Sequence, residues 1–118
     1  MRAIVCKKFA SPENLEVSEV SQPKPNDNQV LVRVESTGLG YVDALTVAGR
    51  YQIKPSLPFV PGNELSGVIE KTGKKVRHLR AGQRVLASSS GGLAEYAIVE
   101  ESRCRPIPDT LSYDAAAG

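Results

Sequence analysis

"QVLVRVES", residues 29–36, alternates as a β-strand does: Val30, Val32 and Val34 fall on one face, Leu31, Arg33 and Glu35 on the other. A period of two does not suit a helix, and charges gathered on one side predict a half-buried strand. Working outward, the same signature recurs in "MRAIVCKKF" (1–9), "LEVSEV" (15–20), "LSGVIEKTG" (65–73), "QRVLASS" (83–89) and "GLAEYAIVE" (92–100). Turn formers bound these runs, among them Asn26-Asp27, Gly73-Lys74 and Gly91-Gly92. Short strands punctuated in this way predict a mainly β fold, a barrel or a sandwich.

Two stretches break the alternation. Within "TGLGYVDALTVAGRY" (37–51), Val42, Leu45 and Thr46 have helical spacing. Gly49 is placed as a C-terminal cap, where the left-handed conformation is needed. A helix of one or two turns is predicted over Val42 to Ala48. In the closing "DTLSYDAAAG" (109–118), Asp109 or Ser112 can cap a helix carried by an alanine run. A helix starting there lacks a partner for its apolar face, so further chain is expected after Gly118 to cover it.

With 118 residues, 41% of them hydrophobic and 24% charged, the chain suits one globular domain with a core, but is short for a self-contained two-substrate enzyme. The net charge of +2 is small. Lys74, Lys75, Arg77 and Arg80 form the dense basic cluster, and no aromatics are interleaved to stack on bases, which argues against nucleic acid. No apolar run approaches the roughly 20 residues of a membrane helix. "MRAIVCKKF" is too charged for a secretion signal. Cys6 and Cys104 are isolated from any zinc-ligand spacing; a disulfide between them is the alternative, but two lone cysteines without a signal peptide fit a reducing compartment better, and a cytoplasmic location is expected. His78 is the single histidine, read as lying on a surface loop. Ser88 to Ser90 beside Gly91-Gly92 read as a hairpin loop, since no helix follows to make a phosphate cradle. No G-x-G-x-x-G or phosphate-binding loop occurs, so a cofactor has to be shared with residues outside this chain.

Taken in order, "QVLVRVESTG", the glycine-bounded turn with Asp43, the "GRY" exit, "LPFVPGNELSGVIEKTG", "AGQRVLA", "GGLAEYAIV" and "PIPDTLSYDAAA" resemble the N-terminal GroES-like domain of the medium-chain dehydrogenase/reductase superfamily. The resemblance covers essentially all 118 residues and looks most like the zinc-independent quinone oxidoreductase branch. It implies a mainly β, partly open GroES-like barrel with one or two short helices, spanning 1–118 as the substrate-side domain. A Rossmann domain would follow, and the whole protein would form a homodimer.

The resemblance also implies site residues. In the alcohol dehydrogenases of the superfamily, a zinc ion takes a Cys and a His from positions that match Gly40 and Asn63, and a proton-relaying hydroxyl matches Val42. Glycine has no donor, an asparagine amide is a poor zinc ligand, and valine passes no proton. No metal is therefore expected. Tyr51 matches a tyrosine lining the nicotinamide and substrate cleft, and is expected to donate a hydrogen bond to a developing oxyanion. Tyr41 is the second candidate for that face. Gly40, Asp43 and Asn63 are expected to border the cofactor, and Glu64 matches an acidic position retained with or without zinc. Asp43 and Glu64 also have a structural reading: capping the helical turn, or pairing with a base.

The implied activity is NADPH-dependent hydride transfer to a quinone or an enone, without zinc, by a protein of which this chain is one half. On its own the chain is expected to fold but not to turn over. The alternative is a GroES-like binding or assembly module like the ring-forming co-chaperonin, although Pro55, Pro58 and Pro61 stiffen the loop such a protein would need mobile.

Overall fold

The computed structural model describes residues 1–52 and 55–117, with Tyr41 described by its backbone alone. Seven strands and two helices follow one another: β1 (Arg2–Val5), β2 (Glu16–Glu19), β3 (Gln29–Gly38), α1 (Tyr41–Val47), β4 (Glu64–Thr72), β5 (Arg84–Ser88), β6 (Tyr96–Glu100), β7 (Cys104–Pro106) and α2 (Tyr113–Ala117). Two 3-10 turns lie at Pro12–Asn14 and Glu101–Arg103. The mainly β expectation with two short helices holds. No helix among the described residues is long and apolar enough to cross a membrane.

All pairing is antiparallel. β1 and β2 make a hairpin, and the other five strands form one sheet in the order β6-β3-β4-β5-β7. The hairpin touches the rest through isolated bridges, Ala3 to Ala94 and Cys6 to Phe59. Among the described residues both sheets stay open rather than closing as a barrel, with β6 and β7 at the edges of the larger one.

The alternation of β3 builds the core. Val30, Val32, Leu65, Ile69, Val85 and Val99 converge on one face of the sheet and are essentially inaccessible, each contributing about 1.5–3 kcal/mol by leaving water. Leu31 departs from the half-buried expectation, being 1% exposed on the opposite face. Its ladder partners, Lys71 and Ile98, lie on that same face, where a lysine stem and an isoleucine shield it. Two register shifts in the β3–β4 ladder leave Glu35 and Glu70 without partners, and Arg33 reaches both, at 3.4 and 3.9 Å. A bulge kinks its strand and strengthens the twist.

Helix α1 ends as the sequence predicts. Gly49 has φ 73, its N–H donates to the Thr46 carbonyl, and the Arg50 N–H reaches Leu45, the paired bonds of a left-handed glycine cap. Of the two candidate caps for α2, Ser112 is the one used: its hydroxyl accepts from the Ala115 N–H at 3.1 Å. β7 was not expected from the sequence, because a three-residue strand ending in proline is too short to show alternation.

Candidate functional site

Three segments meet at one end of the sheet: the first turn of α1, the approach to β4, and the connection leaving β5. Asp43 ties the first two. One carboxylate oxygen accepts the Gly40 N–H at 2.9 Å, which stabilises the open start of the helix, and the other accepts the Asn63 side-chain amide at 3.0 Å. Because glycine has no side chain, this is half of a capping box. A carboxylate can only accept, so the bond also fixes which end of the Asn63 amide faces Asp43.

The third segment is held by backbone bonds. Ser89 N–H donates to the Asn63 carbonyl at 2.8 Å, Gly92 N–H to Gly62 at 2.9 Å and Leu93 N–H to Pro61 at 3.0 Å. The Thr37 hydroxyl adds a bond to the Gly92 carbonyl at 2.6 Å. Gly62 is required in this seam: its φ is 104, and a Cβ there would lie 2.9 Å from the Leu93 nitrogen.

Between these walls opens a cleft of about 610 Å³. Val42, Phe59, Val60 and Pro61 make its apolar side, with Phe59 tilted against Phe9 at a centroid distance of 6.2 Å. Tyr51, half-buried, stands among them, and Asp43 and Asn63 lie at the base. The far wall is Ser88 to Gly91 together with Arg103.

The structure thus brings Tyr51, Asp43 and Asn63 into one cleft. Gly40 lines a smaller adjoining groove of about 150 Å³ with Leu39 and Pro61, and its N–H is already taken by Asp43. Glu64 is exposed and is not among the residues lining the cleft. The reading of Tyr41 concerns a side chain outside the described residues. His78 is exposed on the loop before β5, as expected. Sequence reasoning missed the far wall. Ser88 to Gly91 read as an ordinary hairpin loop; what brings it to the site is a pairing that only the fold shows, Ser88 lying opposite Glu64, directly after Asn63.

Gly40 and Asn63 offer a metal neither a thiolate nor an imidazole. Gly40 offers no side chain, and the Asn63 nitrogen points its N–H at Asp43. Among the described residues no three His, Cys, Asp or Glu gather. The apolar side of the cleft suits a flat, uncharged ring.

Residues 26–109 match the family model described as the alcohol dehydrogenase GroES-like domain. The chain is 39% identical over 120 residues to the quinone oxidoreductase of Mus musculus, covering 99% of this chain and 36% of that protein. Among solved structures, the human synaptic vesicle membrane protein VAT-1 homolog-like protein superposes with a TM-score of 0.95 at 32% identity, over 99% of this chain and 38% of that one. Escherichia coli quinone oxidoreductase, solved in complex with NADPH, gives a TM-score of 0.94 at 28% identity, over 99% and 36%. The chain therefore spans little more than a third of the length of the relatives it matches.

Proposed function

The chain belongs to the alcohol dehydrogenase GroES-like domain family, and from that membership we propose that it forms the acceptor side of an NADPH-dependent quinone or enone reductase working without zinc. One observation supports the reading: a half-buried phenol, Tyr51, shares one cleft with the apolar Val42, Phe59 and Val60 and with Asn63, which stands where the resemblance would place a metal ligand. The similarity to quinone oxidoreductases supports the oxidoreductase class, and the NADPH complex of the E. coli protein supports the choice of cofactor. The rest of the protein would contribute a Rossmann domain facing this cleft. Both cysteines are free thiols, which supports a reducing, cytoplasmic setting.

The nicotinamide cofactor, when bound, supplies a hydride. Everything else falls to the protein. Val42, Phe59 and Val60 exclude water and hold a planar acceptor, so that the reactants meet as neighbours rather than by chance encounter. Asn63, anchored by Asp43, would border the nicotinamide end of the cleft. The Tyr51 phenol donates a hydrogen bond to the acceptor's carbonyl oxygen as negative charge gathers there. A quinone or enone carbon is already electrophilic, so no metal is needed to polarise it. An alcohol, by contrast, needs both a Lewis acid and a base to lose its proton.

The test compares substrates in the whole protein that carries these residues. NADPH oxidation is followed with a quinone and with an enone, and NADP⁺ reduction with primary and secondary alcohols. Since metal polarisation supplies several kcal/mol, the alcohol rates should lie about a hundredfold or more below the quinone rate. Alcohols turned over faster than quinones would overturn the proposal.

A further inference from the structure

The far wall of the cleft has a chemistry that quinone reduction alone does not require. Arg103 is the cation among the described lining residues, and the one acidic lining residue, Asp43, has both oxygens engaged inside the protein. Register explains why Arg103 is there. Cys104 pairs with Ala87 on β5, so the residue before β7 comes alongside Ser88, the first residue of the serine tract. Ser88 and Ser90 are exposed, with hydroxyls able to donate, while the backbone of Ser89 is pinned to Asn63. A guanidinium and two exposed hydroxyls lining the same cleft, on segments that the β5–β7 pairing brings alongside each other, are a donor set for a carboxylate, sulfonate or phosphate.

We propose that Arg103, with Ser88 and Ser90, anchors an anionic group on the electron acceptor, so that this cleft prefers acidic quinones or enones to neutral ones. The anchor rests on the reading of the cleft as an acceptor site. It adds a polarity: the ring lies on the Phe59 and Val60 side and the acid points to Arg103. Glu64, although paired with Ser88 across the ladder, does not line the cleft and leaves the anchor's charge positive. A phosphate of the cofactor has the same chemistry as an acid on the acceptor, and the experiment separates the two.

Anthraquinone-2-sulfonate and the neutral 2-(hydroxymethyl)anthraquinone are titrated calorimetrically into the whole protein, wild type and Arg103→Gln, with NADPH titrated separately. The wild type is expected to bind the sulfonate more tightly, with an advantage that shrinks as salt is raised. Arg103→Gln should weaken sulfonate binding by roughly three- to tenfold, a charge-assisted bond discounted for exposure. The neutral probe should change by less than about twofold, because its contacts are apolar. Arg103→Lys should recover part of the loss, and the KM for the sulfonate should rise with little change in kcat. Equal weakening of both probes, or no preference for the sulfonate in the wild type, would overturn the anchor. Weakened NADPH binding with an unaltered sulfonate would overturn it in favour of a cofactor contact. Failure of both anthraquinones to bind the wild type would remove the acceptor cleft itself, and the anchor with it.

Discussion

The Asp43 carboxylate holds two segments of the cleft together, accepting the Gly40 N–H on one oxygen and the Asn63 amide on the other. Its position three residues after Gly40 made a helix-capping role readable, but the amide bond to Asn63 was not, because it joins residues 20 apart in the chain. Asp43→Ala would strand a helix N–H and the Asn63 amide in a half-buried site, so a loss of about 2–3 kcal/mol is expected in urea denaturation. Tyr51→Phe removes the hydrogen bond proposed to the acceptor's carbonyl oxygen. It should lower kcat by roughly ten- to a hundredfold with a smaller change in KM, toward the low end for an oxyanion donor because the apolar wall remains. Cys104 makes a prediction about pH. Burial, helped by the charge of Glu101, pushes its thiol up from the ordinary value of 9.0 to about 12. In the unfolded chain the thiol ionises at the ordinary value, so the folded form binds more protons in between. This contribution to stability is complete below about pH 9 and is lost as pH rises towards about 12. Denaturation midpoints measured across that window should fall more steeply for the wild type than for Cys104→Ala.

At the scale of elements, the strands with clear alternation were legible and the short ones were not. β3 and β4 could be read from their own residues, whereas β7 exists only because β5 offers it an edge. The far wall of the cleft follows from that pairing, which is why Ser88 and Arg103 could not be read as site residues from their neighbours in sequence. Helix α2 has a similar dependence. Five residues are too few to hold a helix alone. Arg84 on β5 donates to the Pro108 and Leu111 carbonyls at 3.0 and 2.6 Å and lies 4.4 Å from the centre of the Tyr113 ring. The Ser66 hydroxyl adds a bond to the Tyr113 carbonyl at 2.6 Å. Arg84→Gln should therefore cost about 1–3 kcal/mol, as two charge-assisted bonds and a cation–π contact are lost. Amide exchange should quicken over residues 108–117 and stay unchanged in the β3–β4 ladder.

For the whole molecule, the mainly β class was readable because charges and apolar residues alternate over most of the chain. The open sheets were not, since closure depends on whether edge strands meet, and no local pattern records that. The same holds for the cleft: its apolar side and its tyrosine lie in two quoted stretches, but these are tied by the Asn63 amide donating to Asp43, and the β5–β6 connection closes on them by backbone N–H groups donating to Pro61, Gly62 and Asn63. The proposed cleft orients an already electrophilic acceptor and donates one hydrogen bond, with glycine and asparagine at the two positions where the resemblance would place metal ligands. The most direct test is the rate of quinone-dependent NADPH oxidation by the whole protein before and after exhaustive treatment with a strong zinc chelator. An unchanged rate is predicted, while a rate that vanishes on chelation and returns with added zinc would contradict the account.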